Sequence, residues 1–196
     1  SGYGKSTLAL VAQQQMQNEW LNISLEPPEH SSEDFITILL RQITNEMWQY
    51  IEQNPSSLAR LQTRAAAARY FLEHFSEIDI DYLLACLIED FAEHREAIQA
   101  FQIVPSRELF GANASPAQRL SILCDCVYKL GIQGIVVWLD LSGELKQLSL
   151  SLRGLLEDFF DSLYLMRRRL LHIKCLALPS ICRHLQQLRG VETLSA

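Results

Sequence analysis

Gly134-Ile135-Val136-Val137-Trp138-Leu139-Asp140-Leu141 is the stretch on which the fold turns. An unbroken apolar run rich in β-branched residues is expected for a parallel strand buried on both faces. A single acid, Asp140, sits at its carboxyl end. Just upstream, a helix is expected from about Ala117 to Leu130, with Leu120, Leu123 and Val127 inward and Gly131 closing it as a C-cap glycine. Downstream, Glu144 to Met166 has helical spacing, with Leu145, Leu148, Leu152, Leu155, Phe159 and Leu163 on one face. A second strand follows at Leu171 to Leu178, then Pro179-Ser180 and a helix to about Leu188 ended by Gly190. Val191 to Leu194 has room for one further strand.

Nearer the amino end, WLNISLE (Trp20 to Glu26) alternates Leu21, Ile23 and Leu25 before Pro27 and Pro28, and reads as a short strand ended by a turn. From Ser31 the spacing of Phe35, Ile38, Leu39, Gln42, Ile43, Met47, Tyr50 and Ile51 predicts a long amphipathic helix. Ser31 and Ser32 are its expected N-cap, ahead of an acidic first turn at Glu33 and Asp34. Helices are also expected over Pro55 to Phe75 and Asp79 to Phe101, and a polar loop over Pro105 to Pro116. Strands alternating with helices imply an α/β fold with a parallel sheet and right-handed crossovers.

The first seven residues, SGYGKST, run into the apolar stretch Leu8 to Met16. Gly4, Lys5 and Ser6 fill the last three places of the phosphate-binding pattern G-x-x-x-x-G-K-[ST], whose leading Gly would precede Ser1. Each residue type has a physical reason. Gly2 and Gly4 let backbone N–H groups converge on one phosphate, while Tyr3 sits between them. Lys5 supplies a point charge, the Ser6 hydroxyl can ligate magnesium, and the following helix adds the positive end of its dipole. The plain alternative is a glycine turn before a helix capped by Ser6 or Thr7.

Taken together, this loop, the strand after its helix and the later strand ending in Asp140 resemble the P-loop ATPases of the AAA+ and STAND (NACHT-like) group. The resemblance spans nearly the whole chain. It implies a three-layer P-loop NTPase-like parallel sheet flanked by helices, one incomplete domain over 1–196, and a helical insertion at approximately 55–104 between strand 20–26 and strand 134–141. It implies ATP with Mg2+ as cofactors, the nucleotide held by Ser1, Gly2, Tyr3, Gly4, Lys5, Ser6 and Thr7, and the metal by Ser6 and Asp140. ATP over GTP comes from the resemblance alone, since no guanine-reading N/T-K-x-D motif is present.

Departures matter too. AAA+ proteins usually place Glu directly after the acid that matches Asp140, and here Leu141 stands there, which counts against hydrolysis; in STAND proteins the strand often reads on as D-G-h-D-E, of which Leu141, Ser142, Gly143 and Glu144 keep only the final acid. Glu144 is the candidate base, or else an acid favoured in the first turn of the next helix. Ser180 is the nearest match to the polar residue of the sensor strand, and after Pro179 it is well placed simply to cap the following helix. Arg189 lies where some relatives carry an arginine that reaches a neighbour's nucleotide. Like Arg167, Arg168 and Arg169, it also reads as a cation near a helix end. The strand before the P-loop is central in the family, so the resemblance predicts a fragment of a longer protein that lacks it, with weakened nucleotide affinity.

At 196 residues, 48% of them hydrophobic, and a formal net charge of −6, the chain is expected to be soluble. The acidic balance gives no indication of nucleic-acid binding, and no apolar run of about 20 residues suggests a membrane span. The five cysteines (Cys86, Cys124, Cys126, Cys175, Cys182) read as reduced core thiols in a cytoplasmic protein, and the C-x-C at Cys124 and Cys126 lacks a paired His. His30, His74, His94, His172 and His184 form no catalytic spacing, and the three tryptophans read as core.

The leading functional expectation is an ATP-binding switch whose partners are other domains of the same longer chain or further copies of it. The alternatives are an AAA+ ring ATPase remodelling nucleic acid or protein, and a non-hydrolysing interaction module derived from a P-loop domain.

Overall fold

The computed structural model describes residues 19–25, 34–76, 78–106, 114–141, 154, 156–161, 170–177, 181, 185 and 187. By internal contacts the chain divides into two compact units, residues 1–39 with 134–196, and residues 40–133. The described secondary structure is mixed α/β.

The first unit is built on a parallel sheet of three described strands, β1 (Trp20–Leu25), β2 (Gly134–Leu141) and β3 (Leu171–Ala177), ordered β1-β2-β3. All three match the expected strands to within a residue. The register pairs Leu21 with Ile135, Ile23 with Val137 and Leu25 with Leu139. On the other edge of β2, Ile135 pairs with Leu171, Val137 with Ile173 and Leu141 with Ala177. Because side chains alternate along a strand, one face of the sheet collects Leu21, Ile23, Leu25, Ile135, Val137, Leu139, Leu141 and Leu171, all buried.

The opposite face differs from the expectation of a strand buried on both sides. Val136 is buried there, but Trp138 and Asp140 are half-buried. β2 is closed on both faces in its first half and opens on one at its carboxyl half. Gly134 begins the strand because the Trp20 ring lies across it: a Cβ there would come within 2.5 Å of Trp20 Cζ3 and 2.9 Å of the Leu170 carbonyl oxygen.

Helix α1 (Phe35–Gln53) runs from the first unit into the second. Its cap is not Ser31 or Ser32: the Asp34 carboxylate accepts from the Thr37 N–H at 2.7 Å, and the helix starts directly after it at Phe35. The buried stripe is also wider than the expected one, since Ile36, Leu40 and Trp48 join Phe35, Leu39, Ile43, Met47 and Ile51. Phe35 meets Phe159 at a ring separation of 5.5 Å within the first unit, and residues 156–161 are helical as expected.

The second unit is helical. The stretch expected as one helix over 55–75 is two 3-10 turns, Pro55–Arg60 and Gln62–Arg64, followed by α2 (Ala65–Phe75). Gln62 has φ 43°, a left-handed backbone that an α-helix cannot contain. The stretch over 79–101 is likewise broken at Phe91 (φ −125°, ψ 66°) into α3 (Ile80–Asp90), a short 3-10 turn and α4 (Arg95–Gln102). Helix α5 (Pro116–Leu130) has a capping box in which the Ser115 hydroxyl accepts from the Gln118 N–H and the Gln118 side chain accepts from the Ser115 N–H. It closes on Gly131 at φ 103°, as the sequence predicts.

Three helices of this unit meet on one cation. Arg69 of α2 is 7% exposed and donates from Nε to Glu73 at 2.6 Å, from Nη2 to Asp81 of α3 at 2.7 Å, and from Nη1 to the carbonyl of Gln102 at the end of α4. Burial is the largest single effect and works against its charge, but the hydrogen bonds and negative charges of Asp81 and Glu73 together outweigh it and raise its pKa. A second link joins Arg64 to Asp125 of α5 at 2.9 Å.

Two stability predictions follow from these contacts. Gly134→Ala is expected to lower the unfolding free energy by about 1–3 kcal/mol through overpacking against Trp20, with Trp20→Ala in the same chain recovering part of the loss. An unchanged urea midpoint would show that the ring swings clear. Arg69→Met should cost about 1–3 kcal/mol by leaving the Gln102 carbonyl unpaired. Arg69→Lys should restore only part of this, because an ammonium cannot reproduce the three-way fork. Far-UV circular dichroism in urea reads both.

Candidate functional site

In a parallel sheet all carboxyl ends lie along one edge, and in open α/β sheets ligands bind outside that edge. Here β1 ends at Leu25, opposite Leu139, so Asp140 stands one residue past the end of β1 while β3 continues beside it with Leu176. Among the described residues, Asp140 is thus flanked by a strand on the β3 side. It is half-buried, at the open end of the central described strand.

The face that carries Asp140 is polar and aromatic. Along it lie Trp20, Asn22 and Ser24 of β1, Trp138 and Asp140 of β2, and the exposed His172 and Lys174 of β3. The Trp138 indole N–H donates to Asn22 Oδ1 at 3.1 Å, and the Asn22 amide donates to the Trp20 carbonyl at 3.1 Å. Trp20 and His172 meet edge to face at 5.1 Å. Asn22 therefore fixes the indole two residues before Asp140 on the same face. Leu141 is fully buried on the other face.

Of the residues singled out in the sequence, the structure describes Asp140 and Leu141. Ser1, Gly2, Tyr3, Gly4, Lys5, Ser6 and Thr7, together with Glu144, Ser180, Arg189 and the Arg167 to Arg169 run, lie outside the described residues. Sequence reasoning missed the Trp138–Asn22 bond and the His172 and Lys174 positions. The alternation of polar residues at 172 and 174 was the available signal for the latter.

Not all tryptophans are core: Trp48 is 1% exposed, while Trp20 and Trp138 are half-buried on the polar face. The cysteines divide similarly. Cys124 and Cys126 are buried, Cys86 is half-buried, and Cys175 is exposed rather than in the core. Among the described residues no cluster of three or more His, Cys, Asp or Glu is arranged to hold a metal, and no helix is long and apolar enough to cross a membrane. A separate concavity of about 800 Å³ lies in the second unit, between the turn Pro55–Arg60 and α4. Leu58, Ala59 and Phe101 line it, with Gln62, His94 and Arg95 at its polar positions.

No protein-family model, curated protein or solved structure matches the chain.

Burial pushes the Cys126 thiol up to about 12, the nearby Arg64 lowering it only in part. The folded chain thus keeps this proton above the ordinary thiol value of 9.0, at which the unfolded chain releases it. Stability contributed by the neutral thiol is full below that value and is lost as pH rises toward the folded one. Alkylation in mildly alkaline buffer, just below that ordinary thiol value, is expected to mark Cys175 and to spare Cys126 until denaturant is added. Peptide mass spectrometry reads both sites, and early labelling of Cys126 would show that its helix opens in the native state.

Proposed function

We propose that the chain is an ATP-binding P-loop domain that acts as a nucleotide-dependent switch within a larger cytoplasmic protein. The observation that carries this reading is the position of Asp140, at the carboxyl end of the central described strand and past the end of β1. Supporting it is the sequence GKST, which has no use in a packing module that never meets a phosphate.

In this reading Gly2 to Thr7 wrap the phosphates with backbone N–H groups, and Lys5 neutralises the terminal charge. Ser6 and Asp140 would hold magnesium, a hard cation that keeps several of its waters and needs few carboxylates, so one half-buried Asp at an open strand end is a suitable donor. Bound, the metal would neutralise phosphate charge. Trp138, fixed by Asn22, stiffens the strand end from which Asp140 projects.

Leu141 favours a switch over a turnover machine. The position after Asp140 is fully buried among apolar side chains, so no base acts from there. Glu144 is the residue left for that role, in a slow timer of the switch.

The test is magnesium-dependent binding of a fluorescent ATP analogue to the full-length chain. Lys5→Ala is expected to abolish binding, and Asp140→Asn to weaken its magnesium-dependent part by about 10- to 100-fold, with unchanged far-UV circular dichroism in both. A folded chain that binds nothing, or binding indifferent to Lys5→Ala, overturns the proposal in favour of an interaction module.

A further inference from the structure

We draw no further inference here: the strongest candidate, the concavity of about 800 Å³ between the turn Pro55–Arg60 and helix α4, has small apolar lining residues beside the mixed charges of Glu93, Arg95 and Glu96, and nothing in the structure shows what covers it.

Discussion

The column Ile135, Val137, Leu139 and Leu141 holds the sheet unit in place. Each of the four side chains is fully buried, and each contributes about 1.5–3 kcal/mol of apolar burial. The first three sit level with Leu21, Ile23 and Leu25 on β1. A slip of one residue in either pairing would turn this column to the polar face and bring Trp138 and Asp140 into the apolar one. The cost of burying that carboxylate without partners far exceeds any gain from the indole. Register is therefore fixed by the same alternation that puts Asp140 on the open face, and the candidate site is a by-product of how the core is assembled.

Parallel pairing has a second consequence. Strands that run the same way cannot be joined by a tight turn, so every connection must cross over, and the one between β1 and β2 carries all of the helical unit. That unit has short, broken helices whose ends need satisfying. It does so with side chains acting at a distance in sequence: Arg69 reaches the Gln102 carbonyl, and Arg60 approaches the Leu130 carbonyl at 3.5 Å beside Gly131, while Arg64 ties α5 in through the Asp125 carboxylate. The guanidinium suits this work because its donors fan out in a plane toward several acceptors at once.

Much of this was legible beforehand, and the reasons are local. Strand ends were readable because period-two alternation stops at Pro27 and the unbroken apolar run of β2 starts at Gly134. The carboxyl end of α5 was readable because Gly131 has its own conformational signature, here a φ of 103°. The breaks at Gln62 and Phe91 were not, since a 3-10 turn and an α-helix keep nearly the same apolar stripe over a few residues. The cap of α1 was misread among neighbouring Ser31, Ser32 and Asp34 because any of them can accept from an N–H. What selects Asp34 is the onset of the buried stripe at Phe35. The Trp138–Asn22 bond joins residues far apart in sequence and exists only once the register is set. Asp140 was placed correctly at its strand end, whereas the groups expected around it fall outside the described residues.

The two faces of β2 also bear on the proposed preference for binding over turnover. Catalysis of hydrolysis needs a positioned base near the attacking water as well as a metal-holding acid. Neighbouring residues on a strand point to opposite faces, so with Asp140 on the open side the residue after it is directed into the core. A glutamate there would have to be buried among Leu139, Val137 and their partners, where desolvation raises its pKa and destabilises the strand. Leucine at that position instead completes the apolar column. The last described core position on β2 is thus given to packing, and the alternation that buries Leu141 is the same one that sets Asp140 on the opposite face.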